Sequence, residues 1–260
     1  MYNPQYDTKQ ERNSMENTIN FYRSDSQLMN DAIDRIVVEV HGKKNAGGKE
    51  RKTILLTGCS PESGTTTLAI NLAIALSNAN WKTLLVDCDL RKAMKYKRLG
   101  ADAKKGLSDY LNQDCGLNSI ISGTNYETLD YITCGSVAES PVRLLCSVQM
   151  ELFLEEVRNK YDYIVFDCPS LNVVSDANIL FPYIDGIALV SAINKTSKRQ
   201  LSDALDKVEK YDEKYYGMLI NQVELSDYRK YIKDYDYFRQ TNIDKKYRNN
   251  LKRKKIKLRR

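Results

Sequence analysis

The residues of this sequence that could do chemistry are a small glycine-containing loop and three aspartates that follow apolar runs. The loop spans residues 59–66 and reads Cys-Ser-Pro-Glu-Ser-Gly-Thr-Thr, and the aspartates are Asp87, Asp89 and Asp167. A loop between a strand and a helix turns backbone N–H groups toward one point, and the helix amino terminus adds partial positive charge, so phosphate is its natural ligand. Carboxylates nearby can hold Mg²⁺ or orient a nucleophile. The pattern therefore predicts a phosphate site with an acidic side.

The loop residues have separate expected roles. Gly64 lets the backbone approach a ligand closely, Thr66 occupies the position whose hydroxyl would coordinate magnesium, and Thr67 adds a second hydroxyl beside it. The general pattern G-x-x-x-x-G-K-[ST] is broken twice, since Cys59 stands for the first glycine and Thr65 for the lysine. The loop thus offers a neutral hydroxyl where a phosphate-binding charge is expected.

A cation from elsewhere in the chain could replace that lysine. Arg51 and Lys52 lie at the opposite end of the preceding strand, about 20 Å away for six residues, and cannot reach the loop. Arg91 and Lys92 follow the second aspartate of the Asp87–Asp89 pair, and they are the best candidates that the sequence offers.

Strands and helices alternate along the chain and must position these residues. Compact apolar runs predict strands at 53–57, 82–86, 129–132, 163–166, 186–191 and 217–220. Helical spacing predicts helices at 26–41, 68–76, 142–160 and 197–211, with a Gly/Lys-rich linker at 42–50. Nearly uniform apolar strands indicate an α/β fold, a doubly wound and mostly parallel sheet of the P-loop NTPase type, with an amino-terminal helix and flexible tails. In such sheets ligands bind beyond the carboxyl ends of the strands, where the loop and the aspartates lie.

Length and charge divide the chain into one domain and two flanks. Its 260 residues suffice for a single α/β domain, which we place at residues 25–225. Residues 1–24 are polar, which predicts a disordered lead-in, and residues 226–260 are predicted to form a flexible, Tyr-rich and polybasic tail. Ten Lys or Arg residues and no Asp or Glu lie between Lys245 and Arg260, so the net charge of +6 belongs to the tail, and residues 1–244 have a net charge of −4.

Apolar runs and cysteines bear on the cellular compartment. No apolar run approaches the roughly 18 residues of a membrane span, and the amino terminus lacks a signal-peptide pattern, so we expect a cytoplasmic protein. The six cysteines lack CxxC spacing and His41 is the only histidine, which argues against a zinc site and a disulfide framework. Cys59, Cys88 and Cys168 each follow a strand end, either as small fillers of tight turns or as a redox-sensitive or metal-binding cluster.

Several sequence phrases in a fixed order point to a known family. They are TILLTGCSPESGTTTLAINLAIALSNANWKTLLVDCDLRK, GLSDYL, LDYITCGSVAESPVRLL, KYDYIVFDCPS and YGMLINQV. With these phrases the chain resembles, from about Ser24 to Tyr237, the cytoplasmic tyrosine kinases of bacterial capsule and exopolysaccharide synthesis. Those kinases are relatives of the cell-division and partition ATPases with deviant Walker motifs. The order and spacing of the phrases are more specific than any one of them alone.

The resemblance implies ATP and Mg²⁺ as cofactors and gives roles to the site residues. Asp87 and Asp89 match the second acidic motif of the family, one expected near magnesium and one near the tyrosine hydroxyl as a general base. Asp167 matches the Walker B aspartate, which is expected near the metal. Arg91 follows the second motif as it does in relatives, and Asn221 matches the position that contacts adenine in related ATPases.

The resemblance also implies what the protein phosphorylates and how it assembles. Substrate tyrosines of the family form a carboxy-terminal cluster that neighbouring subunits phosphorylate, and the tyrosines in that place here are Tyr228, Tyr231, Tyr235, Tyr237 and Tyr247. A homo-oligomer is expected on the same ground. The ring-forming Glu-x-x-Arg-x-x-Arg motif of relatives is replaced by Asp31, Asp34 and Val37, so a ring through that contact is not expected.

The family partner is a transmembrane adaptor of the polysaccharide co-polymerase type, which suggests a role for the basic tail. Polybasic segments bind anionic lipid at about 1 kcal/mol per basic residue near the surface. We therefore assign the tail to an anionic membrane surface and the protein to the periphery of the inner face of the membrane. Nucleic acid would be attracted by the same charge, but no aromatic stacking motif supports that partner.

Two functional hypotheses remain open, and Thr65 separates them. In the first, the chain binds ATP and magnesium and phosphorylates a neighbour's tail, at a rate lowered by about 10² to 10³ by loss of the lysine. In the second, it is a pseudokinase, a regulatory binding module on a membrane adaptor of polysaccharide export. A partition or division ATPase fits less well because both signature lysines of those proteins are absent, and iron-sulfur carrier relatives need a CxxC.

Overall fold

A central β-sheet determines where the candidate site lies. The computed structural model describes residues 18–44, 50–91 and 105–224. Within these residues the strands are β1 (Thr53–Gly58), β2 (Thr83–Asp87), β3 (Ser122–Gly123), β4 (Leu129–Ile132), β5 (Tyr163–Cys168), β6 (Gly186–Ala192) and β7 (Tyr215–Asn221). These strands form one sheet in the order β3-β4-β2-β5-β1-β6-β7, and each pairing is parallel except that of β3 with β4. The predicted mostly parallel α/β sheet is confirmed.

Helices connect the strands. In chain order the described helices are α1 (Gln27–Lys43), α2 (Thr65–Asn78), α3 (Leu107–Leu111), α4 (Pro141–Leu145), α5 (Val148–Lys160), α6 (Asp176–Leu180) and α7 (Lys198–Val208), with 3₁₀ turns at Leu117–Ser119 and Glu209–Lys214. The predicted amino-terminal helix is α1, and the Ser26 hydroxyl caps it by accepting a hydrogen bond from Met29 N at 3.4 Å. Across the ranges given above, we find no helix with the length and apolar character that crossing a bilayer requires.

The core lies on both faces of the sheet because successive side chains of a strand point to opposite faces. On one face Leu55 of β1 and Phe166 of β5 pack into an apolar cluster that includes the inner side of α5. On the other face Leu56 and Val165 join a second cluster that includes α2 and part of α1. Every residue of β1 and β5 is buried. Since each buried Leu, Val or Phe side chain contributes about 1.5–3 kcal/mol, these central strands give the loops at their carboxyl ends a rigid base.

The prediction of one continuous helix at 142–160 is wrong, because the structure has two helices there, α4 and α5. Pro141 opens α4, a position that suits its fixed φ and missing N–H. The break is at Ser147, whose hydroxyl accepts a hydrogen bond from Met150 N at 3.3 Å and so caps α5. Apolar residues continue at helical spacing across the break, but the local cap competes with the helical hydrogen bonds and ends the first helix.

The predicted boundary of a disordered lead-in at residue 24 also needs correction. Ile19 and Phe21 are 1% and 2% exposed. The backbone N–H of Ile19 donates to Gly123 O at 3.0 Å, and the Phe21 ring packs edge-on against Tyr131 with 5.4 Å between centroids. Two apolar side chains two positions apart point the same way and cover the end of the sheet, which orders this segment in spite of its polar neighbours. Residues 1–17 lie outside the described residues.

Several element ends differ from the sequence prediction. β5 continues to Cys168, so Asp167 lies within the strand instead of following it. α1 continues to Lys43, into the predicted linker 42–50, of which residues 45–49 lie outside the described residues. The elements α3, α6 and β3 were not predicted, because five residues or fewer show too little periodicity to be recognised.

A buried ion pair holds the amino-terminal end of the sheet, opposite the candidate site. Arg158 Nη1 donates to Asp185 Oδ2 at 2.7 Å, and Thr53 Oγ1 donates to the same oxygen at 2.8 Å. Burial opposes ionisation of Asp185, but hydrogen bonds from Arg158 and from the N–H groups of Thr53 and Lys52 outweigh it and lower the pKa of Asp185 to about 2. The carboxylate therefore stabilises the fold above its unfolded pKa, and this contribution is lost as the pH falls toward 2.

Asp185→Asn is expected to lower the free energy of unfolding by roughly 2–4 kcal/mol at pH 7, because it leaves the half-buried Arg158 without its partner charge. Urea unfolding at pH 7 and again near pH 3 measures the effect. The difference from wild type should shrink at the lower pH, where the wild-type carboxylate loses its advantage. The exposed Asp212→Asn serves as the matched control, and a loss of the same size in both variants would contradict the assignment.

Candidate functional site

The loop that joins β1 to α2 has the geometry of an anion site. β1 ends at Gly58 and α2 begins at Thr65, with Gly64 as the cap residue at φ +83°. That left-handed backbone conformation favours glycine. No side chain caps α2 in the structure. Because the first N–H groups of any helix lack partners within the helix, those of the first turn of α2 are oriented for a ligand at the carboxyl edge of the sheet.

Gly58, which the sequence pattern did not single out, is the glycine over which the loop folds tightly. A Cβ at Gly58 would lie 2.9 Å from Ser60 O and 3.0 Å from Thr65 Oγ1. The hydroxyl of Thr65 therefore lies back over the strand end, whereas Thr66 and Thr67 are exposed. Cys59, which stands where the pattern has its first glycine, is fully buried. The residue at which the loop comes closest to the backbone is Gly58, one residue earlier than the pattern suggests.

Hydrogen bonds fix this loop to two other strand ends. Ser60 Oγ lies 2.8 Å from Thr196 Oγ1, which follows β6, and Asn221 Nδ2 at the end of β7 donates to Ser63 O at 2.9 Å. Asn221, predicted to contact adenine, thus lies beside the loop. Ser60, Ser63 and Thr196 are site residues that sequence reasoning missed, since isolated Ser and Thr residues in loops give no spacing signal.

The acidic side of the site lies on the adjacent strands. Asp87 is the last residue of β2 and pairs in register with Asp167 of β5, and β5 is in turn the neighbour of β1. Cys88 N donates to Asp167 O at 2.9 Å, and Asp89 N donates to Asp87 Oδ1 at 2.9 Å. Asp167 is 8% exposed, and Asp87 and Asp89 are half-buried. The structure therefore brings the three predicted aspartates to the same sheet edge as the phosphate loop.

The donor set suits a metal ion that is shared with phosphate. Among the described residues no three His, Cys, Asp or Glu side chains are grouped so as to hold a metal ion by themselves. Mg²⁺ usually binds one or two carboxylates and completes its shell with water and substrate phosphates. Two carboxylates on neighbouring strand ends, with the exposed residue Thr66 in the first turn of α2 at the same edge of the sheet, fit that requirement.

Arg91, predicted as a replacement for the missing lysine, is paired with a carboxylate of the protein in the structure. Its guanidinium forms a bidentate ion pair with Asp176, the first residue of α6, through Nε to Oδ2 and Nη2 to Oδ1, each at 2.8 Å. Asp176 is 1% exposed. The side chain thus joins the segment after β2 to α6, and Lys92, the other candidate, lies outside the described residues.

The cysteines near the site are buried. Burial raises the pKa of Cys59 to about 11, and burial followed by a hydrogen bond with Cys88 raises the pKa of Cys168 well above its usual value. Cys59, Cys88 and Cys168 belong to one apolar cluster below the strand ends. A thiol with a raised pKa is a poor nucleophile and a poor metal ligand, so Cys59 and Cys168 fit the interpretation as small buried side chains. Cys88 is buried beside them.

The segment after β4 is hydrogen-bonded to the segment that contains Asp87 and Asp89. Ala138 N donates to Leu90 O at 3.0 Å. Asp109 Oδ2 accepts hydrogen bonds from Gly106 N at 2.7 Å and from Ser136 N at 3.3 Å, which binds the GLSDYL segment to the same loop. Burial, followed by the charge of Asp87, raises the pKa of the Cys134 thiol to about 12.

Gly106→Ala is expected to lower the free energy of unfolding by roughly 1–3 kcal/mol, the usual effect of forcing extra atoms into a packed region. A Cβ at Gly106 would overlap Thr133 O and Gly135 N, which are backbone atoms that cannot rotate away. Gly116→Ala is the matched control, because nothing lies within 4 Å of a Cβ there. Chemical denaturation of both variants measures the difference, and equal stabilities would show that the close contact is not present.

Some predicted features lie outside the described residues. They are the tyrosine cluster from Tyr228 to Tyr247 and the basic tail that ends at Arg260. The predicted boundary of the domain at residue 225 is likewise not tested, because the described part of the chain ends at residue 224.

Comparisons with known proteins match the part of the chain that contains the sheet. A family model described as an AAA domain matches residues 52–219. The chain is 32% identical over 180 residues to the tyrosine-protein kinase CpsD of Streptococcus agalactiae, covering 69% of this chain and 79% of that protein. It is 31% identical over 183 residues to the tyrosine-protein kinase YwqD of Bacillus subtilis, covering 70% of this chain and 77% of that protein. Among solved structures, the kinase domain of the Escherichia coli tyrosine kinase Etk matches with a TM-score of 0.67 and 26% identity, covering 75% of this chain and 77% of that one.

Proposed function

We propose that this chain, which belongs to the bacterial tyrosine-protein kinase family of P-loop proteins, binds ATP with Mg²⁺ and regulates capsular or exopolysaccharide synthesis. The transfer of phosphate to tyrosine is slow in the wild-type chain because Thr65 replaces the lysine. The observation that carries the proposal is the meeting, at one sheet edge, of the uncapped amino terminus of α2 with two carboxylates in register, Asp87 and Asp167.

Each group of the site has a role in this proposal. The N–H groups of the first turn of α2 bind the phosphates, and Thr66, Asp87 and Asp167 hold the metal ion. Bound Mg²⁺ would neutralise charge on the phosphates. Asp89 accepts the proton of the attacking tyrosine hydroxyl, and Asn221 lies where it could contact the adenine. Residues 226–260 supply the tyrosines that a neighbouring subunit phosphorylates.

Loss of the positive charge at residue 65 favours a second candidate function. Arg91, the best replacement for the lysine within the described residues, is already in a bidentate pair with buried Asp176. A chain without that charge could bind nucleotide and transfer nothing. In this case it acts as a pseudokinase, a regulatory module on a membrane adaptor of polysaccharide export.

The proposed partners follow from the family and from charge. One relative carries the name "Putative tyrosine-protein kinase in cps region", from Klebsiella pneumoniae. We propose a transmembrane adaptor of the polysaccharide co-polymerase type as the main partner and a homo-oligomer as the phosphorylating assembly. The ten basic residues between Lys245 and Arg260 would add attraction to anionic lipid. We propose on this ground a cytoplasmic protein at the periphery of the inner face of the membrane.

Incubation of the full chain with labelled ATP and Mg²⁺, beside an Asp89→Asn variant, tests the proposal. Kinase function predicts label on tyrosines between Tyr228 and Tyr247 in wild type and little or none in the variant. The pseudokinase predicts a nucleotide-dependent rise in melting temperature in both proteins without label in either. If the wild-type chain shows no label and no nucleotide-dependent rise in melting temperature, both functions are contradicted.

A further inference from the structure

Three hydroxyl side chains are hydrogen-bonded in series, two in the phosphate loop and one in the segment after β6. Ser60 Oγ lies 2.8 Å from Thr196 Oγ1 and 3.1 Å from Ser63 Oγ, and Ser63 Oγ donates to Ser60 O at 2.6 Å. Ser60 is 4% exposed and Ser63 is 1% exposed. Buried hydroxyls are retained only when they are paired, and here they are paired with one another. We call Ser60, Ser63 and Thr196 the hydroxyl chain.

The direction of every hydrogen bond in the hydroxyl chain follows from counting protons. A hydroxyl has one proton to donate. Since Ser63 Oγ gives its proton to Ser60 O, Ser60 Oγ must donate to Ser63 Oγ, and Thr196 Oγ1 must then donate to Ser60 Oγ. Thr196 Oγ1 in turn accepts from Ala192 N, the last residue of β6, at 3.2 Å. The bonds therefore run in one direction from β6 into the loop, an arrangement in which each bond strengthens the next.

The same contacts fix the peptide groups of the loop. Ser60 O accepts from Ser63 Oγ, and Ser63 O accepts from Asn221 Nδ2 at 2.9 Å. The C=O and N–H of a trans peptide point in opposite directions, so the contact with Asn221 directs Gly64 N–H away from β7. Hydrogen bonds within the protein thus join the loop to the ends of β6 and β7.

We propose that the hydroxyl chain sets the phosphate loop in advance for the diphosphate group of a nucleotide, and that Thr196 is a positioning residue for nucleotide binding. The inference rests on the nucleotide binding proposed above. A loop with lysine gains affinity from charge, whereas a loop with Thr65 depends on backbone N–H groups, which bind well only if they are already oriented. Thr196 matters most because it comes from a different strand end, 136 residues from Ser60.

Titration calorimetry with MgADP tests the proposal on the full-length chain. Thr196→Val keeps the shape of the side chain and removes the proton donor, and it is expected to weaken MgADP binding roughly 3- to 10-fold, the loss of about one hydrogen bond. Thr196→Ser keeps the hydroxyl and should bind within about twofold of wild type. Ser60→Ala should weaken binding to a similar extent, and the double variant should bind no worse than either single variant, because both remove the same chain.

The outcomes separate this inference from the proposed function. No binding of MgADP by wild type would overturn the proposed function and this inference with it. Binding by wild type with equal affinity in Thr196→Val would overturn the inference alone. Weaker binding in Thr196→Val that Thr196→Ser does not restore, accompanied by an equal fall in the melting temperature of both variants without ligand, would show a general role in stability and overturn the positioning role.

Discussion

A Thr65→Lys variant is expected to transfer phosphate to tyrosine about 10² to 10³ times faster than the wild-type chain, equivalent to about 2 to 4 kcal/mol in the transition state. Residue 65 is the first residue of α2, and its half-buried side chain begins directly above the end of β1. A lysine there would reach the phosphates bound at the helix terminus. The remaining parts of a phosphate site, Gly64 at positive φ and the carboxylates of the adjacent strands, are in place.

Single-turnover transfer of labelled phosphate measures this gain. Thr65→Met is the matched control, since it adds similar length without charge and should give no increase. A lysine variant that binds ATP more tightly but transfers no faster would indicate that turnover is limited elsewhere in the site. A lysine variant that changes neither affinity nor rate would contradict the role assigned to residue 65.

Asp89→Asn is expected to lower the transfer rate by roughly 10² to 10⁴, the usual contribution of a general base. The effect is best measured in the Thr65→Lys background, where the starting rate is higher. The backbone N–H of Asp89 donates to Asp87 Oδ1, a contact that the substitution keeps, so the segment should retain its shape. The affinity for MgADP should change little, because the proposed role concerns the tyrosine hydroxyl and not the nucleotide.

The control for Asp89 is its neighbour on the strand end. Asp87→Asn should also lower the rate, but it should weaken the dependence of nucleotide binding on Mg²⁺, which Asp89→Asn should leave intact. Calorimetry with and without Mg²⁺ distinguishes the two variants. If both variants alter the Mg²⁺ dependence equally, the division of roles between the two carboxylates is wrong.

The sheet and the place of the site could be predicted from the sequence because both depend on local patterns. Apolar runs mark the buried strands, and parallel strands bring their carboxyl ends to one edge, so the positions of Asp87 and Asp167 beside the loop follow from order alone. β4 was predicted with its observed bounds, Leu129–Ile132, because turn residues enclose a short apolar run.

Contacts between distant residues could not be predicted in this way. Ser60 meets Thr196 and Arg91 meets Asp176 across sequence separations of 136 and 85 residues, and neither pair leaves a periodic signal. The break at Ser147 was missed because helical spacing continues through it, and the cap that the Ser147 hydroxyl forms with Met150 N depends on side-chain orientation. These features depend on packing and side-chain orientation, which single residues in a sequence do not encode.

The bidentate pair of Arg91 with Asp176 has a mechanical consequence. Asp176 is 1% exposed, whereas the Arg91 side chain is 41% exposed, so water screens the guanidinium while the carboxylate depends on it for hydrogen bonds. Two hydrogen bonds therefore link residues 87–91 to α6, and α4 packs against α6. Any displacement of the acidic segment would be transmitted to these two short helices. A spectroscopic label on α6 would report such a displacement without touching a residue of the phosphate site.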